Sequence, residues 1–92
     1  MYKITVDNSP SHLEKMLKKV RRGSPDTYQQ IRKAIEDLKT NPRPDDCRKM
    51  RPRHKNRYRI ACGDYRVVYS IDDHNEIVCI LAVAHRKDVY RH

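Results

Sequence analysis

Apolar and polar positions alternate along this chain with two different periods, and the changes of period mark its elements. Tyr2, Ile4 and Val6 alternate with Lys3, Thr5 and Asp7, the period of two that predicts a half-buried strand. Ser9-Pro10 then offers a helix start, since Ser can cap and Pro has no N–H to leave unpaired in the first turn. Leu13, Met16, Leu17 and Val20 follow at i, i+3, i+4 and i+7 and form one apolar stripe. Gly23 stops this helix after Lys18, Lys19, Arg21 and Arg22, whose charges suit the negative end of the helix dipole. Ser24-Pro25-Asp26 repeats the start signal, Tyr28, Ile31, Ile35 and Leu38 line a second helix, and Asn41-Pro42 closes it. Two amphipathic helices with almost no linker predict an antiparallel hairpin.

From Pro42 to Asn56 the periodicity disappears. Three prolines and clustered charge predict a loop, which carries Arg43, Arg48, Lys49, Arg51, Arg53 and Lys55. The stretch from Arg57 to Arg91 then reads as three short strands joined by two turns, with a polar tail holding His85, Arg86 and Tyr90. If Gly63-Asp64 is a two-residue turn, Cys62 lies opposite Tyr65, Ala61 opposite Arg66 and Arg59 opposite Val68. Arg59 and Arg66 then share one face, while Tyr58, Ile60, Tyr65, Val67, Tyr69 and Ile71 share the other, where the helices can cover them. The second turn, around Asp72-Asp73-His74-Asn75, leaves the last strand open to two registers. A loop of three or five residues puts Val78, Ile80, Ala82, Ala84 and Arg86 on the arginine face; a loop of two or four puts His85 there instead. That last strand is apolar on both faces and is expected in the interior of the sheet.

Charge changes the picture. The 92 residues, enough for one domain spanning 1–92 with one modest core, carry 21 Lys+Arg against 12 Asp+Glu, a net charge of +9. Such a surface favours a polyanion through counterion release. No stretch is long enough to span a bilayer, so no membrane partner is expected, and Met1 to Val6 enters a strand pattern rather than a secretory signal. Three cysteines without C-x-x-C spacing fit a reducing, cytoplasmic setting, and the five histidines show no metal spacing. Two glycines cannot build a phosphate-binding loop.

Arginines inside β-branched and aromatic strands suggest a face meant for an anion. If a phosphodiester lies across it, forked hydrogen bonds from Arg59, Arg66 and a tail arginine can hold its oxygens and stabilise a pentacoordinate transition state. His85 or Tyr90 could exchange protons, the tyrosine only with a lowered pKa. No carboxylate cluster is present to hold Mg²⁺, so cleavage would use no metal or other cofactor and would take the ribose 2′-OH as nucleophile, restricting the substrate to RNA. Lys49, Arg51, Arg53, Lys55, Arg57 and His85 are the candidate RNA-binding residues beside that centre. The same arginines would serve equally in a binding module that pairs with a partner's carboxylates, and the pattern alone leaves both readings open.

Tyr58-Arg59-Ile60, Gly63-Asp64-Tyr65-Arg66-Val67-Val68-Tyr69, Ile71-Asp72-Asp73 and His85-Arg86-Lys87-Asp88-Val89-Tyr90-Arg91 closely resemble the RelE/ParE superfamily of type II toxins, on its RelE-like branch. The order of elements matches over essentially the whole chain. The resemblance implies an α+β fold: an N-terminal strand, a two-helix antiparallel hairpin, then a three-stranded antiparallel meander completing a four-stranded sheet. It implies a ribosome-dependent mRNA endoribonuclease that cuts in the A site by metal-free 2′-OH attack. The catalytic positions fall on Arg59, Arg66, Arg86 and Tyr90, with Arg66 and Arg86 on the phosphate and Tyr90 on the 2′-OH. It also implies a cognate antitoxin, the ribosome and mRNA as partners, and operator DNA reached through the antitoxin. For Arg86 to lie beside Arg66, it favours a second turn of three or five residues. Arg59 and Ala61 stand where well-known members carry lysines, and arginine is a poor proton acceptor. The glycine often found before that strand is replaced by Met50-Arg51-Pro52-Arg53. The alternatives are a ParE-like inhibitor of DNA gyrase and an inactive toxin acting as corepressor with its antitoxin.

Overall fold

The computed structural model of the chain describes residues 1–6, 10–50 and 56–89, with the backbone alone at 10–12. In chain order the elements are β1 (Lys3–Val6), α1 (Pro10–Gly23), α2 (Pro25–Asp37), β2 (Arg48–Lys49), β3 (Arg57–Cys62), β4 (Tyr65–Asp72) and β5 (Ile77–His85). The strands form one sheet in the order β1-β5-β4-β3-β2. β1 runs parallel to β5, and every other pair is antiparallel. The architecture is the α+β arrangement expected, with five strands instead of four.

The additional strand lies in the segment whose composition predicts loop. Arg48 pairs with Arg59 and Lys49 with Tyr58. Two exposed cations carry no alternation to detect; it is the outer edge of β3 that recruits them. β5 takes the interior position predicted for it, between β1 and β4.

One face of the sheet is covered by the helices. Val20 of α1 and Ile31 of α2 are buried against Ile60, Val67, Tyr69, Ile71, Val78, Ile80 and Val83, with Leu38 just beyond α2. Each such aliphatic side chain stabilises the fold by about 1.5–3 kcal/mol through burial. Ser24 alone links the helices, its Oγ–H donating to Thr27 Oγ1 at 2.8 Å. α2 gives way to a turn after Asp37, earlier than Asn41-Pro42 predicts, and Lys39, Thr40 and Asn41 donate backbone N–H groups back to Glu36 and Asp37.

Below α2, Tyr69 is fully buried and donates its hydroxyl to the Pro42 carbonyl at 2.8 Å. Its ring stacks on Tyr58, 5.9 Å between centroids. Arg43 lies over the Tyr58 ring and forks onto Asp73, with Nη1–Oδ1 and Nη2–Oδ2 distances of 3.0 and 2.8 Å. The Tyr2 hydroxyl donates to the same carboxylate at 2.7 Å. These hydrogen bonds from Arg43 and Tyr2 hold Asp73 at a pKa of about 2. Arg43 is therefore a structural clamp between the loop and the β4–β5 turn, and is not spare for an anion.

Candidate active site

The first hairpin follows the register read from the sequence. Cys62 pairs with Tyr65, Ala61 with Arg66 and Arg59 with Val68. Gly63 takes φ +59°, the left-handed conformation a two-residue turn requires. A Cβ there would also come within 3.3 Å of Thr27 Oγ1 on α2.

The second hairpin starts in the register of an even turn and ends in that of an odd one. Asp72 pairs with Ile77, so four residues, Asp73 to Glu76, form the turn. Asp72 caps it, accepting from the Asn75 side chain at 2.8 Å and the Asn75 backbone N–H at 3.1 Å, which lowers its pKa. Glu76 ends the turn at φ 55°, aiming its carbonyl at the Lys3 N–H, 2.8 Å away, where β1 begins. By parity alone a four-residue turn would put His85 on the arginine face. A bulge reverses this. Val68 pairs with Ala82 but Tyr69 pairs with Ile80, leaving Leu81 without a partner on β4. The extra residue shifts the alternation by one. Beyond it, Ala82 and Ala84 stand beside Val68 and Arg66, whereas Val83 and His85 turn to the helix-covered face. Arg86 thus keeps the parity that the family resemblance demands, by a bulge and not by turn length.

Cross-strand pairing now defines the arginine face row by row. Arg48, Arg59, Val68 and Ala82 lie in one row; Ala61, Arg66 and Ala84 lie in the next; Arg57 and Ser70 precede them with Cys79. At the turn end, Arg66 Nη1 donates to the Gly63 and Tyr65 carbonyls at 3.0 and 2.9 Å. Arg86 joins there, its N–H donating to the Asp64 carbonyl at 2.7 Å and its Nε lying 3.7 Å from Asp64 Oδ1. That ion pair is exposed and weakly held, so an incoming phosphate can compete for it. The face is not wholly polar. Val68, Ala82 and Val89 form a small buried cluster with Met50 and Leu81 packed against it.

Arg59, Arg66 and Arg86 of the predicted catalytic set are thus assembled around one face and its end, while Tyr90 lies outside the described residues. Of the candidate RNA-binding residues, Arg57 is on this face. Lys49 is paired with Tyr58 and belongs to the opposite one. His85 is also on the opposite side, its ring edge-on to Tyr65 at 5.5 Å and its Nδ1 accepting the Lys87 N–H at 3.2 Å. Arg51, Arg53 and Lys55 lie outside the described residues. The sequence reading named Arg48 only as one cation of the loop and left Val89 out of the site: neither a two-residue strand nor a single valine in a charged tail leaves a periodic signal. Burial, then the Asp46 charge, pushes the Cys62 thiol up against the opposing pull of Arg66, so it is no thiolate nucleophile. Among the described residues no group of His, Cys, Asp or Glu is arranged to hold a metal, and no helix is long and apolar enough to cross a membrane.

Comparison with known proteins shows the family and the fold. The family model for the ParE toxin of type II toxin-antitoxin system, parDE, matches residues 10–90. The chain belongs to that family: it is a toxin of a type II toxin–antitoxin system, within the RelE/ParE superfamily. Among solved structures it is similar to RelE in the archaeal RelE–RelB complex from Pyrococcus horikoshii, at 23% identity, TM-score 0.73, with 92% of this chain and 94% of that one covered. It is also similar to the intact E. coli RelBE toxin–antitoxin complex (24% identity, TM-score 0.71, 92% and 96% covered). A YoeB/ParE toxin from Agrobacterium tumefaciens shares the fold at 10% identity and TM-score 0.73, over 90% and 96% of the two chains. No curated protein sequence matches.

Proposed function

We propose that this toxin is a ribosome-dependent mRNA endoribonuclease, acting in the cytoplasm and held in check by a cognate antitoxin. The observation that carries the proposal is the pairing that aligns Arg48, Arg59 and Arg66 on one sheet face with Arg86 at its end. The RelE complexes that share the fold add support, as do the RelB antitoxins bound in them.

On this reading a message phosphodiester lies across the face. The ribose 2′-oxygen attacks phosphorus, forming the O2′–P bond as the P–O5′ bond breaks. The 2′-OH proton passes to Tyr90 or through it to solvent, and the 5′-oxygen leaves with a proton relayed beside Arg86. The products are a 2′,3′-cyclic phosphate and a 5′-hydroxyl, so no oxidant, reductant or metal is consumed. Arg66 and Arg86 meet the charge that grows on the non-bridging oxygens, where fixed donors are worth most. Arg59 stays protonated and binds phosphate instead of acting as base. Arg57 and the neighbouring Arg51, Arg53 and Lys55 follow flanking phosphates, while Lys49 and His85, on the other side, would meet ribosomal RNA. Operator DNA would be reached only through the antitoxin.

The matching family model is named for ParE toxins, which favours one second reading: inhibition of DNA gyrase with no cut message. Inducing the wild-type chain and an Arg86→Ala, Tyr90→Phe variant, then mapping mRNA 5′ ends, separates the two. Cuts at fixed codon positions that vanish in the variant are expected. Growth arrest with intact message, unchanged in the variant, would transfer the assignment to gyrase.

A further inference from the structure

On the arginine face, β2, β3, β4 and the residue that follows β5 line up one arginine after another as a diagonal staircase. Arg48 of β2 stands directly opposite Arg59 of β3. Arg66 of β4 is one row nearer the Gly63 turn, opposite Ala61, and Arg86 comes two residues after Ala84, the partner of Arg66 on β5. Directly opposed positions in such a ladder are about 5 Å apart and diagonal ones about 7–8 Å, so the staircase is longer than one phosphodiester. Ala61, Ala82 and Ala84 border it and leave room for the guanidinium groups.

The first step, Arg48, is held from both sides. After it, Met50 donates its N–H to the Arg57 carbonyl at 2.9 Å and packs against the socket formed by Val68, Ala82 and Val89. Before it, the Cys47 N–H closes a turn on the Pro44 carbonyl at 3.0 Å, and Pro42 and Arg43 are fastened to Tyr69 and Asp73. Side chains alternate along a strand, so the packing of Met50 forces Arg48, two residues earlier, onto the same face and over Arg59. Like charges directly opposite one another destabilise a ladder. Arg48 is exposed and, among the described residues, forms no ion pair or side-chain hydrogen bond, whereas Arg43, Arg66 and Arg86 are each engaged. The fold thus pins an uncommitted guanidinium beside a second one, a strain that an anion between them offsets.

We propose that Arg48 is a substrate-binding residue: with Arg59 it takes a phosphate flanking the one being cut, so that the message strand crosses the sheet diagonally from β2 to the end of β5. The inference deepens the nuclease reading, which supplies the identity of the strand; the track itself follows from the pairing. A nucleic-acid strand is favoured over a partner's carboxylates because single cations recur at each strand along one line, matching a backbone that carries one anion per residue.

The test uses the full chain and an all-deoxy hexanucleotide, which lacks the 2′-OH and so binds without being cut. Its dissociation constant is measured across a range of salt for wild type, Arg48→Gln, Arg48→Lys and Lys15→Gln, the last an exposed cation of α1 on the other side of the molecule. Arg48→Gln should flatten the slope of log K against log salt by about 0.7, the loss of one phosphate contact to a single strand. Arg48→Lys should keep the slope and weaken binding about threefold, because the charge stays and the fork is lost. Lys15→Gln should leave the slope unchanged. The urea midpoint of the free protein should rise in Arg48→Gln, since one of two opposed charges is gone. On programmed ribosomes, half-saturation by Arg48→Gln should need about threefold to tenfold more toxin, with the single-turnover rate constant within about twofold of wild type.

No binding of the hexanucleotide by wild type at low salt, or equal flattening by Lys15→Gln and Arg48→Gln, would overturn the proposal. An unchanged slope in Arg48→Gln with a lowered urea midpoint would make the residue structural; an unchanged slope with a weakened antitoxin complex would give it to the antitoxin. Either result overturns the substrate role. If wild type leaves ribosome-bound mRNA intact while Arg48→Gln still flattens the slope, the nuclease reading fails and the track remains. If wild type cuts and Arg48→Gln matches it in slope and half-saturation, the role of Arg48 alone fails.

Discussion

The two faces of one sheet have been put to opposite uses, and β4 supplies both. Val67, Tyr69 and Ile71 point under the helices, where they meet Ile31, Leu38 and Val20. Arg66, Val68 and Ser70 point the other way, where the cover is a tail, a loop residue and a few small side chains. The helix-covered face is closed and carries stability. The arginine face keeps alanines at 82 and 84 where the closed face has isoleucine and valine, leaving room for guanidinium groups and whatever they bind. Neither face is uniform: the closed one carries the Arg43–Asp73 clamp at its lower margin, and the open one carries the Val89 socket at its centre.

The largest effect expected from challenging this division lies on the closed face. Tyr69→Ala removes a fully buried ring and the hydroxyl that satisfies the Pro42 carbonyl, and should cost about 3–5 kcal/mol, measured by urea unfolding. A loss under about 1 kcal/mol would mean that the ring is not part of the core. On the open face the expectation is reversed. Arg66→Lys keeps the charge but not the fork, and should change stability by no more than about 0.5 kcal/mol while reducing cleavage on ribosomes by about a hundredfold. Matched losses of stability and activity would erase the distinction between the faces.

The smallest effect concerns the clamp, and its pH dependence has a definite sign. Asp73 titrates near 2 in the folded chain, below the ordinary aspartate value of about 3.9, so the unfolded chain binds more protons in that interval. The clamp therefore contributes fully above the unfolded pKa and fades as pH falls toward 2. The stability gap between wild type and Asp73→Asn should stay flat above about pH 5 and shrink steadily below about pH 4. A gap that widens on acidification would contradict the assignment. The pair is exposed, so the whole effect is modest and weakens further with salt.

Much of this molecule is legible in its residues because much of it is periodic. The stripes Leu13-Met16-Leu17-Val20 and Tyr28-Ile31-Ile35-Leu38 mark both helices, and the alternation around Gly63-Asp64 sets the first hairpin down to its residue pairs. Once that turn is fixed, Arg59 and Arg66 must share a face, since side chains alternate strictly along a strand. Those consequences are local and follow from a few neighbouring residues. What the tertiary structure alone decides is non-local. The pairing of Arg48 with Arg59 depends on an edge offered by a distant strand, and two residues are too few to show a period. The bulge at Leu81 falls just past Ile80, the last residue of β5 that pairs with β1, and it moves Arg86 and His85 to opposite parities from those of an unbroken four-residue hairpin. Arg43 finds Asp73 thirty residues away, and Val89 finds a socket whose walls come from three parts of the chain. Each of these is a meeting of surfaces, and the free energy of such a meeting is a property of the assembled fold and not of any stretch of sequence.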